Sequence, residues 1–456
     1  MLRSSSAAEA NRPVVNRDAL IDWYRRSRAR TSALFDLLAT DEAYYSQPIS
    51  LRHPLVFYEG HLPAFSFNTL IKKALGNPGI DAALESLFAR GIDPDHAPVA
   101  SSDPEHNRRR WPSRDRVRAF AAAVDERVLH ALEQADLDQP GHAMLDRAEA
   151  VFTILEHEAM HHETILYLWH RLPVDQKMMP RNYCPTIAGH VPTQEWIEVP
   201  AGNATLGTDR HAVPFAWDNE CGAYRAQVPA FAIEKHDVTN EAFLAFVTAG
   251  GYDTPAYWDD DAWQWLRMEG IRHPQFWARV GADWCWRGMF DLIPLPPSWP
   301  VYVSHAEAAA YARWQNARLP TEAEFVRAAF GAPDGERRHP WGDETPAGTR
   351  GVFNFSGWDP EPAGSHPAGR SAWGVEDLVG NGWEWTSSVF APFPGFEARA
   401  SYPEYSADFF DNQHFVLKGA SPATAAELIR PTFRNWFRSR YPYVYATFRC
   451  ARDLQA

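Results

Sequence analysis

Long amphipathic segments fill the first 185 residues of the chain and constrain its fold more than any other feature. Apolar residues recur at helical spacing in four stretches: 18–39, 54–75, 113–135 and 143–172. Asp18 and Ser113 are candidate N-caps, whereas Gly60 and Pro63 predict a weakened or kinked second helix. Four such helices, with a long connection between the second and the third, favour a four-helix bundle whose core can hold metal ligands.

The pattern changes in the second part of the chain, where short segments are interrupted by Gly, Pro, Asn and Asp. Only two of these segments predict clear helices, 239–250 and 304–317. The fold class predicted for the whole chain is therefore α+β. The predicted order is a disordered lead-in (1–17), a helical domain (18–185), a linker (186–195) and a mixed domain (196–456).

Composition argues against several classes of function. A formal net charge of −14 disfavours nucleic-acid and anionic-membrane partners. No run approaches the roughly 18 apolar residues of a membrane helix, and the first residues lack the apolar core of a secretory signal. The cysteines form no CxxC pair, which fits a reducing, cytoplasmic setting and argues against structural zinc. The 19 Trp and 36 Pro predict irregular loops pinned by buried rings, with room for an organic cation.

The stretch "LEHEAMHHETILYLWHRL" (155–172) places four histidines on the fourth predicted helix. Residues four apart share a helix face, so His157 and His161 project from one mainly apolar, core-facing stripe. His162 and His170 fall off that axis, and we expect them at the surface or the rim. The pair therefore predicts two buried imidazoles that face the bundle core.

A metal site needs at least one more ligand, and the second predicted helix offers His61 on a core-facing stripe with Tyr58 and Phe65. Three histidines would leave open coordination positions for a substrate and oxygen. Imidazole suits Zn, Cu, Fe or Ni, so residue type does not decide the metal. The alternative, that each is an ordinary core or surface histidine, stays open on the pattern alone.

Beyond these patterns, the chain resembles a known family in both halves. "HEAMHHET" resembles the HxxxHxE signature of the DinB-like bundle in ergothioneine sulfoxide synthases and their relatives. The second half resembles a sulfatase-modifying-factor domain of the formylglycine-generating-enzyme type, a C-type-lectin-like fold. The matching segments are "WIEVPAGNATLGT", "DVTNEAFLAFV", "RLPTEAEFVRAA", "WGVEDLVGNGWEWTSS", "FVLKGAS" and "FRCARD". Both domains in this order make the resemblance specific.

The resemblance implies an oxygen-dependent, mononuclear non-haem iron enzyme that installs sulfur or selenium on a histidine-derived imidazole. His61, His157 and His161 match the Fe(II) ligands, with O₂ as co-substrate. "RPTFRNWFRSRYP" matches a segment that lines the substrate site, where Asn435 and Trp436 would hold the trimethylammonium group of hercynine. An aromatic face suits such a cation.

Two positions depart from members of the family that use γ-glutamylcysteine. Phe437 stands where an acidic residue follows "RNW", and Met160 stands where Gln precedes the second ligand histidine. The match of "RRRW" (108–111) with the family's paired arginines stays open. These departures favour a selenoneine synthase, which forms a C–Se bond from a neutral selenosugar donor. The alternative is a sulfoxide synthase that forms a C–S bond from γ-glutamylcysteine or cysteine.

The family also uses a tyrosine that delivers a proton near the reacting oxygen, and "SYPEYSADFF" offers Tyr402 and Tyr405 as candidates. Tyr443 and Tyr445 are further candidates, and any of the four could be a core ring. A formylglycine-generating enzyme is disfavoured because the segment 419–442 has no cysteine. A lectin-like binding module without iron is a third possibility. "GNGWEW" (380–385) favours a turn held by buried tryptophans over a calcium site.

Overall fold

The structure is a computed structural model that describes residues 15–89 and 103–454. It divides into two compact units, each built from segments that are separate in sequence. The first comprises the chain up to Met178 together with Thr208–Cys221 and Glu397–Tyr405. The second comprises Met179–Gly207, Gly222–Phe396 and Ser406–Ala456. The domain boundaries inferred from sequence stay predictions. Within the described ranges, no helix is both long and apolar enough to cross a membrane.

The first unit is helical. Its α-helices are α1 (Arg17–Phe35), α2 (Asp41–Tyr45), α3 (Leu55–Ser66), α4 (Ala82–Leu87), α5 (Pro104–Arg110), α6 (Arg114–Gln134) and α7 (Glu149–Arg171), and a π-helix (Phe67–Ala74) continues α3. Helix α3 packs against α6 and α7, and α1 packs against the same two helices. The four long predicted helices are therefore present, and they form the predicted bundle.

The ends and irregularities of these helices follow from local chemistry. Ser113 caps α6 as predicted, but the N-cap of α1 lies two residues earlier than predicted, because the Asn16 side chain, not Asp18, accepts from the Ala19 amide. Of the predicted lead-in, residues 1–14 lie outside the described part. Pro63 lies inside α3, which passes into the π-helix instead of ending. At Gly60 a Cβ would lie 2.5 Å from the Phe88 ring, so only glycine permits this close packing.

The second unit is rich in short strands. Its helices are α8 (Asn240–Thr248), α9 (Asp260–Glu269), α10 (His305–Trp314) and α11 (Glu322–Phe330). Its strands are β1 (Trp196–Val199), β2 (Gly202–Leu206), β3 (Tyr224–Val228), β4 (Phe231–Glu234), β5 (Trp277–Val280), β6 (Asp283–Arg287), β7 (Leu292–Pro294), β8 (Gly331–Ala332), β9 (Gly335–Glu336), β10 (Gly382–Val389), β11 (His414–Ala420), β12 (Asn435–Arg438), β13 (Ala446–Thr447) and β14 (Ala451–Asp453). The central sheet has the order β12-β11-β10-β13, antiparallel except for the β10–β13 pair.

The expectation of only two clear helices in this half was wrong. Helix α9 begins at a side-chain cap from Asp259, and α11 begins at a capping box of Thr321 and Glu324. Both helices are only nine or ten residues long. The two helices that were predicted, α8 and α10, are equally short, so length does not explain the omission, and the side-chain caps of α9 and α11 were the signal that was missed.

Buried ion pairs hold the centre of the second unit. The Arg449 guanidinium donates to both carboxylate oxygens of Glu384, at 2.6 and 2.8 Å, and to Asp237 at 3.0 Å. The side-chain amide of Asn381 accepts a hydrogen bond from the backbone N–H of Glu361 and donates one to the backbone carbonyl of the same residue. Glu384 and Asn381 have these partners, and Trp383 and Trp385 are buried. The prediction of a turn was wrong for most of "GNGWEW", because Gly382–Trp385 lie in β10.

Candidate metal centre

Three histidines from α3 and α7 converge in the core of the first unit. Candidate ligand nitrogens of His61, His157 and His161 all lie within 4.8 Å of one another. His61 Nε2 is 3.3 Å from His157 Nε2. Within the described ranges, this is the only group of three or more His, Cys, Asp or Glu side chains close enough to share one ion. The structure thus brings together the residues that the sequence singled out.

Aromatic packing and one hydrogen bond orient these imidazoles. Phe65 stacks on His157 with ring centroids 3.6 Å apart, and Phe57 stacks on His61 at 4.9 Å. His61 Nδ1–H donates to the Phe88 carbonyl at 2.8 Å. That bond places the proton on Nδ1 and leaves Nε2 as the electron-pair donor, which is the usual arrangement of a metal-ligating histidine.

Burial keeps all three imidazoles neutral. It lowers the pKa of His61 to about 4, and it lowers the pKa values of His157 and His161 well below the usual range, with further lowering from neighbouring histidines. The Nδ1 atoms of His157 and His161 are buried without a hydrogen-bond partner in the described structure. Neutral imidazole is the metal-binding form, so this donor set fits a divalent transition metal.

Two of the four candidate tyrosines lie beside the histidines. Tyr402 and Tyr405 belong to Glu397–Tyr405, a segment of the first unit. The Tyr402 ring is 5.9 Å from the His157 ring and 5.0 Å from the Phe65 ring, measured between centroids. The Tyr405 hydroxyl donates to Met160 Sδ at 3.2 Å. The Tyr402 ring therefore lies beside His157, and the Tyr405 hydroxyl contacts the side chain of the residue before His161.

The other two tyrosines pack within the second unit. Tyr445 is buried, 5.7 Å from the Tyr302 ring, and Tyr443 lies 5.0 Å from the Tyr441 ring. Sequence reasoning did not find Trp217, whose ring stacks on Tyr405 at a centroid distance of 4.0 Å. The order of the chain gave no signal for this contact, since Trp217 and Tyr405 are 188 positions apart.

Four residues were predicted to bind substrate: Asn435, Trp436 and Phe437 lie on β12, and Met160 lies on α7. Trp436 is half-buried and stacks on Phe390, with centroids 4.2 Å apart and planes at 5°. The backbone amide of Trp436 donates to Asn435 Oδ1 at 2.9 Å. Phe437 stacks on Tyr441 at 5.1 Å. Such an aromatic surface is chemically suited to an organic cation.

Two histidines lie where we did not expect them. His162 and His170 are both buried, which contradicts their predicted place at the surface or the rim. His162 Nε2 lies 2.9 Å from Thr31 Oγ1 on α1. The prediction was wrong because α7 packs against both α1 and α3, so residues off the ligand axis also face a neighbour.

The three arginines of "RRRW" lie in the last turn of α5, and their side chains are exposed. Arg108 is 3.7 Å from Asp41, and Arg109 pairs with Glu105 at 3.4 Å one turn away. Exposed pairs of this kind contribute little to stability. Their match with the paired arginines of the family stays open.

Comparisons with known proteins give matches to both parts of the chain. The DinB superfamily model matches residues 24–165, and the sulfatase-modifying factor enzyme 1-like domain matches residues 186–454. Hercynine oxygenase of Mycolicibacterium smegmatis is 32% identical, over 97% of this chain and 100% of that protein. Hercynine oxygenase of Mycolicibacterium thermoresistibile is 33% identical, over 94% and 93%. Ergothioneine biosynthesis protein 1 of Neurospora crassa is 28% identical, over 91% of this chain and 55% of its own length.

Proposed function

Because the chain belongs to the ergothioneine sulfoxide synthase family, we propose that it is an Fe(II)-dependent oxygenase that couples a chalcogen donor to hercynine. The observation that carries the proposal is the cluster of His61, His157 and His161, three neutral imidazoles within reach of one ion. When bound there, Fe(II) would supply oxygen activation and a template for the two substrates.

The side chains around the cluster have roles that follow from their contacts. The Phe88 carbonyl keeps the proton of His61 on Nδ1. Tyr402 and Tyr405 are weak acids near the histidines and are the groups that would hold or deliver a proton. Met160 accepts the hydrogen bond of Tyr405 and so limits the orientations of that phenol. These roles are expected of a site that controls where a proton goes.

Substrate recognition is assigned to β12. Trp436, stacked on Phe390, offers an aromatic surface for the trimethylammonium group of hercynine, and Asn435 offers a polar group beside it. For the donor, we propose a selenosugar. Phe437 packs on Tyr441 and offers no carboxylate to the amino group of an amino-acid donor. Met160 offers a thioether where related enzymes have the side-chain amide of Gln. A neutral donor with hydroxyl groups tolerates both changes.

A thiol donor is the second candidate, and the relatives favour it. The similar protein from Neurospora crassa is called ergothioneine biosynthesis protein 1, and ergothioneine carries sulfur. In that case another residue would compensate for the missing acid at Phe437. The product would then be a sulfoxide with a C–S bond at the imidazole.

The test is an anaerobic reconstitution with Fe(II), followed by hercynine and O₂ with three donors in parallel: a selenosugar, γ-glutamylcysteine and cysteine. Mass spectrometry follows the coupled product, with His157→Ala as the inactive control. We expect the selenosugar to be coupled at least tenfold faster than either thiol. Coupling mainly with a thiol would overturn the donor assignment alone. No product with any donor would overturn the proposed function.

A further inference from the structure

The segment that carries Tyr402 and Tyr405 is tied to the helix of the ligand histidines by a buried carboxylate. Glu149 is the first residue of α7, eight positions before His157. Its Oε2 accepts from Arg399 Nη1 at 3.2 Å, and its Oε1 accepts from Ser401 Oγ at 3.0 Å. Glu149, Arg399 and Ser401 are all buried. One side chain of α7 thus holds two residues just before Tyr402.

The attachment continues to Tyr405 by a second route. Arg399 Nη2 donates to the Ala216 carbonyl, next to Trp217. Trp217 stacks on the Tyr405 ring, and the Tyr405 hydroxyl returns to α7 at Met160. The contacts form a closed loop that runs from Glu149 on α7, through the segments Glu397–Tyr405 and Thr208–Cys221, and back to Met160 on α7. Charge-assisted hydrogen bonds in a buried setting are among the more specific ones a protein makes.

The backbone that delivers Glu149 is itself strained. Arg147 and Ala148, immediately before α7, have φ values of 60° and 58°, which residues with a Cβ rarely adopt. Arg147 donates to the carbonyls of Arg210 and Val213, both at 2.9 Å, and so stabilises this conformation. Strained backbone of this kind is kept where a neighbouring site needs a particular geometry.

We propose that Glu149 is a positioning residue, which acts through Arg399 and Ser401 to place Tyr402 and Tyr405 beside the three histidines. It touches neither an imidazole of the cluster nor a phenol. The catalytic meaning of the inference rests on the proposed function, but the positioning itself is a property of the fold. It can therefore be measured without substrate or turnover.

The experiment compares Glu149→Gln with Glu307→Gln by hydrogen–deuterium exchange and steady-state kinetics. Glu307 is also buried and hydrogen-bonded, to Ser304 and Tyr252, and it belongs to the second unit. In Glu149→Gln, the Tyr402 and Tyr405 amides, which bond the carbonyls of Arg399 and Tyr402, should exchange at least roughly tenfold faster. In Glu307→Gln they should exchange as in the parent protein.

Kinetics separate positioning from a general loss of structure. Glu149→Gln should lower kcat for hercynine coupling roughly tenfold and leave KM for hercynine within about twofold, because misplaced phenols affect the chemical step. Glu307→Gln should leave both constants within about twofold. Arg399→Ala combined with Glu149→Gln should accelerate the same two amides further, because Arg399 also donates to the Ala216 carbonyl, a contact that Glu149→Gln leaves in place.

Three results would overturn the inference: unchanged exchange at Tyr402 and Tyr405, acceleration spread equally over α1 and α6, or equal effects of the two Gln variants. Should Glu149→Gln not fold, Ser401→Ala removes one hydrogen bond of the set and should accelerate the same two amides two- to threefold. Loss of protection without any oxygenase activity in the parent protein would support the positioning and overturn only the proposed function.

Discussion

Helix α7 presents the same types of residue to two different environments, one position apart. His157 and His161 face α3, where their Nδ1 atoms have no hydrogen-bond partner in the described structure. Glu158 and His162 face α1, where Arg28 Nη1 donates to Glu158 at 2.9 Å and Thr31 contacts both side chains. His157, Glu158 and His162 are buried and His161 is only half-buried, so burial does not identify a ligand histidine. The difference lies in the neighbours: Glu158 and His162 Nε2 contact side chains of α1, whereas His157 Nε2 lies 3.3 Å from another imidazole nitrogen, His61 Nε2.

The α1 side has the character of a structural network. Arg28 Nε donates to Asp125 at 2.8 Å, and Tyr24 donates to the same carboxylate at 2.7 Å. This network joins α1, α6 and α7, and it leaves Glu158 paired with a guanidinium. The α3 side instead has aromatic rings packed on imidazoles. The α1 side stabilises the packing of the helices, and the α3 side has the geometry of a metal site.

The largest expected effect is on the paired side. Glu158→Ala should lower the free energy of unfolding by about 3–5 kcal/mol, because it leaves Arg28 buried without its full complement of anions. Urea denaturation measures the change. Glu126→Ala, an exposed position on α6, should change the value by less than about 0.5 kcal/mol. A small effect of Glu158→Ala would mean that the two sides of α7 do not differ as described.

The second prediction compares the replacement by alanine of one histidine from each side of α7. His157→Ala should lower the affinity for Fe(II), or for Co(II) as an optical probe, more than about 100-fold, because one of three ligands is lost. His162→Ala, five residues along, should keep that affinity within about fivefold and instead lower the free energy of unfolding by about 1–3 kcal/mol. Metal titration followed by absorption measures the first effect. Equal losses of affinity would contradict the distinction.

Much of the fold was accessible from sequence because the first unit is built from long helices. The stretches 113–135 and 143–172 contain α6 and α7. Apolar residues recur at helical spacing along most turns of both helices. The second unit offers little such repetition, and its order β12-β11-β10-β13 depends on contacts between distant segments. Resemblance to a family, not periodicity, predicted that part.

The site shows a similar limit. His157 and His161 could be predicted from their spacing on one helix, and His61 from the apolar, core-facing stripe of a second helix. Trp217, Glu149 and the attachment of Glu397–Tyr405 were not predicted, because non-local contacts leave no pattern along the chain. His162 was misplaced because a single helix projection assumes one buried face, whereas α7 has two.

A third prediction extends the contrast between paired and unpaired groups to the second unit. Glu384 is paired with Arg449, but the Glu234 carboxylate accepts from the Cys450 amide, and burial raises the pKa of Glu234 to about 7. A carboxyl whose pKa is raised on folding contributes stability below its unfolded pKa of about 4.3, and that stability is lost as pH rises through about 7.

Glu234→Gln removes this titration. The free energy of unfolding of the parent protein, relative to Glu234→Gln, should therefore fall by about 3–4 kcal/mol between pH 4 and pH 8. Parallel urea titrations at several pH values measure the difference, and Glu427→Gln, an exposed position, is the control. A difference that rises with pH would show that Glu234 is stabilised as an anion, like Glu384.

The smallest expected effect on stability concerns the phenol beside the histidines. Tyr405→Phe removes the hydrogen bond to Met160 Sδ but keeps the ring stacked on Trp217, and a thioether is a weak acceptor. We expect the free energy of unfolding to change by less than about 1 kcal/mol and metal affinity to stay within about twofold. If Tyr405 also delivers a proton, kcat should fall by roughly 10²-fold or more, whereas a purely structural phenol would leave kcat nearly unchanged. Tyr402→Phe in the same assay assigns the role, because only the phenol that moves the proton combines a large loss of kcat with an undisturbed fold.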